Sequence, residues 1–114
     1  MLPKKYRLKK REDIKGVLKY GLTQRADFLI LKTRENNLSN SRFAFLISLK
    51  ISKKAAVRNK LKRKLSEFIR INLPVIKNNI DAVLIVAFDF SKKNSRETEE
   101  VINNLLHKAK LYVR

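Results

Sequence analysis

The first half of the chain carries one helical and two extended patterns of apolar residues. Ile14, Val17 and Leu18 fall at helical spacing before Gly21, which predicts a short first helix that ends at this glycine. Residues 28–33 and 43–51 read as strands, because large apolar side chains recur there with the period of a pleated chain. The polar residues 35–41 between them predict a turn region.

A longer helix is predicted from Ala55 to Asn72, and Pro74 prevents it from continuing much further. At helical spacing, an apolar stripe and a polar face separate on opposite sides. The apolar stripe consists of Val57, Leu61, Leu65 and Phe68, and the opposite face of Asn59, Arg63, Ser66 and Arg70, flanked by Lys60 and Lys62. One face is therefore expected to pack and the other to present positive charge.

The last third of the chain predicts one strand and one helix. Residues 81–90 are nearly continuous in apolar side chains, which is typical of a central strand covered on both faces. A final helix is predicted from Ser95 as N-cap, with acidic residues in its first turns and His107 near its end. The order helix, two strands, helix, strand, helix predicts an α+β fold: an α-β sandwich with a small mixed sheet and three helices, in a single domain over residues 1–114.

The charge of the chain indicates a binding partner. The 114 residues contain 28 Lys and Arg against 10 Asp and Glu, and a net charge of +18 opposes folding unless a polyanion offsets it. No apolar run approaches the roughly 20 residues of a spanning helix. Nucleic acid is favoured over an anionic membrane surface, because a basic helix lying on lipid would carry Trp, Phe or Leu along its wet edge, whereas the basic residues here belong to a chain with a core of its own. The absence of cysteine excludes disulfides and thiolate metal sites. The N-terminus lacks the apolar region of a secretory signal, so we expect a cytoplasmic protein.

Positive charge concentrates in the long helix and the turn before it. Between Lys50 and Arg70 there are nine Lys or Arg and one acid, Glu67. Like charges four residues apart destabilise an isolated helix, which disfavours the alternative of a merely solvated face. A second basic cluster occupies residues 4–11, and the two clusters together suggest one extended positive surface.

No arrangement of side chains predicts a catalytic or metal site in the protein. His107 is the only histidine, Asp81 and Asp89 bracket a strand without a predictable partner, and Glu97 is typical of a helix N-terminus. The sequence has no Gly-rich phosphate loop, serine elbow or Cys-His arrangement. We therefore predict no catalytic residue and no metal ligand.

The basic segment has an order that resembles the protein component of bacterial ribonuclease P. A Ser52-Lys53-Lys54 turn is followed by Ala56-Val57-Arg58-Asn59 and then Lys62-Arg63, as in that family's basic "RNR" helix. The likeness extends over nearly the whole chain. It implies the fold α-β-β-β-α-β-α, with a left-handed crossover between parallel strands against the usual right-handed preference.

The resemblance also implies a function. The protein would be the cofactor of a ribozyme that removes the 5′ leader from precursor tRNA, with the catalytic RNA subunit and precursor tRNA as partners. Phosphodiester hydrolysis would belong to the RNA and its bound Mg²⁺, and the protein alone would bind no cofactor.

Two sets of site residues follow from the resemblance by position. Contacts to the catalytic RNA are expected from Lys53, Lys54, Arg58, Asn59, Lys60, Lys62, Arg63 and Arg70. A cleft for the single-stranded leader is expected between the first helix and the sheet, lined by Lys10, Ile14, Lys15, Leu18, Phe28 and Leu31. Family members carry aromatic residues where this chain has Ile14, Leu18 and Leu31, so base stacking is expected to contribute less here.

Two other function classes fit part of the sequence. A basic RNA-binding module such as a ribosomal protein would share the size, the charge and the lack of a catalytic arrangement. A protein-only nuclease would instead cleave RNA with a metal and without an RNA subunit. The ordered pattern from Ala56 to Arg63 favours the ribonuclease P interpretation over both.

Overall fold

The computed structural model describes residues 2–113, which form three helices and four strands. The helices are α1 (Arg11–Tyr20), α2 (Ala55–Asn72) and α3 (Ser95–Lys108), and the strands are β1 (Leu22–Ala26), β2 (Leu29–Glu35), β3 (Arg42–Leu46) and β4 (Ile80–Val86). Short 3₁₀ helices cover Lys4–Tyr6 and Leu73–Val75. The chain order α-β-β-β-α-β-α confirms the predicted α+β fold with three helices and a mixed sheet.

The four strands form one sheet in the order β1-β2-β4-β3. β2 pairs antiparallel with β1 and β4, whereas β3 and β4 are parallel neighbours joined through α2. A parallel pair needs such a crossover connection, because a tight hairpin reverses the chain. β4 lies between two partners and is buried over most of its length, as its continuous apolar sequence predicted.

The two faces of the sheet carry separate apolar clusters. On one face, Leu31 and Leu84 pack with buried residues of α2 and α3. On the other face, Ala44 and Val83 pack with Val17 of α1. Because side chains of a strand alternate between faces, the sheet lies between α1 on one side and α2 with α3 on the other.

The apolar pattern did not predict strand β1, although the resemblance implied a third strand before α2, and two predicted strands are shorter than expected. β1 has the sequence Leu-Thr-Gln-Arg-Ala and lies at the sheet edge, where no apolar alternation marks it. The strand predicted at 43–51 ends at Leu46, because the chain turns so that the Ile51 amide donates to the Ser48 carbonyl at 3.1 Å. The strand predicted at 81–90 ends at Val86, before a turn in which Asp89 accepts from the Ser91 amide at 2.8 Å.

Helix α3 begins at Ser95, the residue predicted as its N-cap, because the cap itself is one residue earlier. The Asn94 side chain accepts from the Glu97 amide at 2.8 Å, and the Glu97 carboxylate accepts from the Asn94 amide at 3.1 Å. This is a reciprocal capping box, so Asn94 rather than Ser95 is the N-cap.

Gly21 ends α1 for a reason other than the predicted left-handed stop. Its φ of −73° is accessible to any residue. A Cβ at this position would, however, lie 2.8 Å from the Thr33 carbonyl oxygen and closer still to the Val17 carbonyl oxygen. Glycine is therefore required here because the end of α1 approaches the backbone of β2.

The helices were also compared with the length and apolar character of a membrane-spanning segment. Among residues 2–113, no helix combines the length and the apolar character needed to cross a bilayer.

Candidate nucleic-acid interface

One side of α2 exposes a group of cations and an amide, which we call the α2 face. Its members are exposed side chains on the helix and the turn before it: Lys53, Lys54, Asn59, Lys60, Lys62 and Arg63. The packing side of α2 buries Leu61, Leu65 and Ile69 at a four-residue spacing, so the helix holds the α2 face toward solvent. The structure thus brings together six of the eight residues predicted to contact the RNA subunit.

The beginning of α2 adds to this positive charge. Its first turn contains no acidic residue, and the N-cap Lys54 makes no side-chain capping hydrogen bond. The free amides at a helix N-terminus carry partial positive charge, which acidic residues or bound anions ordinarily offset. Lysines at this end of α2 therefore increase the positive electrostatic potential, which attracts an external anion.

Arg58 and Arg70, the other two predicted contacts, have partners within the chain. The half-buried Arg58 donates through Nη1 to the Ser52 carbonyl at 2.8 Å, and so fixes the Ser-Lys-Lys turn against the helix. Arg70 donates through Nε to Glu67 Oε2 at 3.1 Å and through Nη2 to Oε1. These bonds hold the pKa of the Glu67 carboxyl below its ordinary value. Arg58 is thus placed to position the turn, while the charge of Arg70 is offset locally.

The basic N-terminal segment lies against the same region. Arg7 forms a parallel bridge with Phe43, and the Leu8 amide donates to the Phe43 carbonyl at 2.9 Å, so the segment extends the free edge of β3. Between this segment and α2 is a cavity of about 320 Å³, the N-terminal cleft, with Arg7, Lys9 and Lys62 at its polar walls. The two basic clusters therefore adjoin, as the sequence suggested.

Ser66 also lines the N-terminal cleft and corrects the predicted pattern of α2. It was placed on the exposed polar face, but it is only 3% exposed, and its Oγ donates to the Arg63 carbonyl at 3.1 Å. Helical spacing gives only the direction of a side chain around the axis, whereas residues of the N-terminal segment and of β3 line the same cleft as this side of α2.

Four of the predicted leader-cleft residues lie on α1 or at its start. Ile14 and Leu18 are half-buried and pack against the α1 side of the sheet beside Leu46 and Ile85. Lys10 and Lys15 are exposed. Ile14 also lines the N-terminal cleft, so this predicted leader-cleft residue belongs to that cavity as well.

Phe28 and Leu31, the other two predicted leader-cleft residues, lie elsewhere. Leu31 is directly opposite Leu84 in the sheet and faces α2 and α3 with 1% exposure. Phe28 is fully buried and stacks on Phe90, with ring centroids 4.0 Å apart. Neither side chain is available to RNA in this structure.

The residues of β2 that face α1 include Ile30 and Lys32. They lie opposite Ile85 and Val83, which belong to the α1 side of the sheet. The exposed end of Lys32 donates to Thr23 Oγ1 at 3.0 Å, so a cation stands on the face where the sequence predicted a leucine. A shift of one residue moves every side chain of a strand to the other face, and both alternating sets of β2 contain leucine or isoleucine.

The acidic residues considered as possible metal ligands have local structural roles. Asp81 accepts from Arg42 Nε at 2.9 Å and from Asn36 Nδ2 at 2.8 Å. The bonds from Ser91 lower the pKa of the Asp89 carboxyl, and Glu97 completes the capping box. Within residues 2–113, no three His, Asp or Glu side chains are grouped so that they could hold a metal ion.

Comparisons with known proteins agree on one family. The sequence profile of the family Ribonuclease P matches residues 2–110. A ribonuclease P protein component from Pseudanabaena sp. (strain PCC 6903) is 36% identical over 112 residues, covering 97% of each chain. The solved RNase P protein of Thermotoga maritima is 30% identical, with a TM-score of 0.81 over 90% of this chain and 96% of that one. A mutant of the Staphylococcus aureus RNase P protein has the same fold, with a TM-score of 0.88 at 24% identity over 96% of this chain and 92% of that one.

Proposed function

Because this chain belongs to the bacterial ribonuclease P protein family and is thus a subunit of a ribonuclease ribonucleoprotein, we propose how its surfaces serve that enzyme. The α2 face and the N-terminal cleft bind the catalytic RNA subunit. The surface between α1 and the sheet, where Ile14 and Leu18 lie, holds the 5′ leader of precursor tRNA, and the holoenzyme cleaves that leader to form the mature 5′ end. The complex acts in the cytoplasm.

The observation that carries the proposal is the unneutralised charge of the α2 face. None of its lysines or arginines forms an ion pair or a side-chain hydrogen bond with another residue in the described range 2–113. Cations held together on a rigid helix repel one another, and RNA phosphates relieve that repulsion while releasing condensed counterions. The protein is therefore built to bind RNA more tightly as salt is lowered.

The chemical step belongs to the RNA in this proposal. Mg²⁺ prefers several oxygen ligands, and the acidic side chains described above are engaged in hydrogen bonds or a helix cap rather than grouped. Bound Mg²⁺ would stabilise the attacking and leaving oxygens of the phosphodiester. The protein's own contribution is positive charge that lowers repulsion between the RNA subunit and its RNA substrate.

Reconstitution tests this function. Purified protein alone should cleave no precursor tRNA, whereas adding it to the RNA subunit should restore cleavage at a Mg²⁺ concentration too low for the RNA by itself. Metal-dependent cleavage that survives exhaustive RNase treatment of the protein would instead identify a protein-only nuclease. Binding to ribosomal RNA in preference to the ribonuclease P RNA would favour the ribosomal-protein alternative.

A further inference from the structure

The C-terminal end of α1 exposes an aromatic ring beside two cations. Tyr20 is 65% exposed, although the ring of a tyrosine is usually partly buried. The Lys19 Nζ lies 5.3 Å from the centre of this ring, and the Arg34 guanidinium carbon of β2 lies 5.2 Å from it. Both distances are within the range of cation–π attraction.

The position of Arg34 depends on the absence of a side chain at Gly16. A Cβ added to Gly16 would lie 2.8 Å from Arg34 Nη1, so the guanidinium rests against the bare helix backbone one turn before Tyr20. Arg34 is directly opposite Asp81, but that carboxylate is occupied by Arg42 and Asn36. Within residues 2–113 Arg34 forms no ion pair, and its charge is available to an external anion.

A cavity of about 330 Å³ continues from the ring toward the C-terminal end of α3. Its apolar wall includes Leu22, which is 76% exposed. Lys77 and Lys110 stand at its rim together with one acidic residue, Glu35. We call the set of Tyr20, Leu22, Arg34, Lys77 and Lys110 the Tyr20 patch.

The Tyr20 patch lies on the side of α1 away from the proposed leader site. Tyr20 and Leu18 are separated by about 160° around the helix axis, since each residue turns the helix by about 100°. Leu18 packs near Ile85, whereas Tyr20 lies near Arg34 at the other end of the sheet. The ring of the patch therefore lies on the opposite side of α1 from Leu18, and the cavity beside it includes none of the predicted leader-cleft residues.

We propose that the Tyr20 patch binds an unpaired RNA nucleotide, whose base stacks on Tyr20 while neighbouring phosphates contact Arg34, Lys77 and Lys110. The proposal rests on the RNA-binding function proposed above. An exposed ring beside arginine and lysine has the two features that bind single-stranded nucleic acid, a stacking platform and phosphate-binding cations. The leader site on the other side of α1 offers aliphatic residues, so this ring supplies an aromatic surface that the leader site lacks.

Variants of Tyr20 test the stacking contact in the intact protein and holoenzyme. Tyr20→Phe keeps the ring and should bind like wild type, whereas Tyr20→Leu should weaken RNA affinity about fivefold or more. Leu38→Ala, in the exposed β2–β3 connection, is the matched control and should change nothing. Binding is measured in two arms: protein with the RNA subunit, and assembled holoenzyme with precursor or mature tRNA. The arm that loses affinity identifies which RNA supplies the nucleotide.

A second measurement does not depend on a loss of affinity. The chain has no tryptophan, so Tyr20→Trp introduces a single indole that a stacked base should quench on saturation with RNA. Leu38→Trp should show no such quenching. The proposal is overturned if Tyr20→Leu and wild type bind RNA with equal affinity in both arms, or if the Tyr20→Trp emission is not quenched. It is also overturned if Tyr20→Leu weakens binding to the polyanion poly-glutamate but to neither RNA. If wild type itself fails to bind the RNA subunit, it is the proposed function that has failed.

Discussion

The paired substitution Lys60→Gln/Arg63→Gln should change the salt dependence of RNA binding without changing the fold. Both side chains are exposed on the α2 face, and neither has an ion-pair or side-chain hydrogen-bond partner in the part of the chain that the structure describes. The buried stripe of Leu61, Leu65 and Ile69 is untouched. The free energy of unfolding should therefore stay within about 0.5 kcal/mol of wild type.

The size of the effect follows from counterion release. Each lost phosphate contact lowers the slope of log K against log salt by about 0.7 to 0.9, so two contacts lower it by about 1.4 to 1.8. Between about 50 and 200 mM salt, the affinity advantage of wild type over the variant should shrink about 7- to 12-fold. The assay is a filter-binding or fluorescence titration of the RNA subunit at four or more salt concentrations.

A matched variant separates a local contact from a general loss of charge. Lys92→Gln/Arg96→Gln likewise removes one lysine and one arginine charge from exposed positions. Lys92 lies in the turn before α3, and Arg96 lies on α3 beside Glu100. This control should keep the wild-type slope. If the two double variants show equal slopes while both fold normally, RNA contacts some other face and the reasoning about α2 is refuted.

Two further predictions concern the leader site and the sheet. Ile14→Phe/Leu18→Phe should raise the preference of the holoenzyme for precursor over mature tRNA by about 1 kcal/mol per base engaged, and a normally folded double variant with no gain would show that the site is placed wrongly. Asp81→Ala removes the main acceptor for Arg42, whose Nε and Nη2 lie 2.9 and 2.7 Å from the carboxylate, and leaves this partly buried cation with Asp13 at 3.5 Å. The substitution should lower the free energy of unfolding, measured by urea titration, by about 2 to 4 kcal/mol. A loss below about 1 kcal/mol is what an exposed ion pair gives, and it would contradict the structural role of Asp81.

Features set by short stretches of sequence were predictable. The bounds of α2, Ala55–Asn72, follow from helical spacing on one side and from Pro74 on the other. The central place of β4 follows from its apolar residues, because only a strand covered on both faces keeps such a run from water. The excess of positive charge on α2 is likewise local, and it identified the surface for which we propose RNA binding.

Features that depend on packing between distant elements were not predictable in this way. β1 has no apolar pattern and becomes a strand because β2 offers it an edge to pair with. The face on which Leu31 and Lys32 lie is decided by the register of β2 against β4, since both alternating sets of β2 contain a leucine or an isoleucine.

The same distinction applies to the charges. The sequence determined that Arg58, Arg63 and Arg70 lie on one helix, and their residue types alone suggested equal roles. Arg70 pairs with Glu67 one helical turn before it, which is a local contact, whereas the conformation of the Ser-Lys-Lys turn gives Arg58 the Ser52 carbonyl, and Arg63 is left exposed. The fold also places Arg34 of β2 against Gly16 and beside Tyr20, two residues of α1 that are distant from Arg34 in the sequence. A chain encodes charge residue by residue, but whether that charge is available to a partner depends on which neighbours the tertiary structure brings within hydrogen-bond distance.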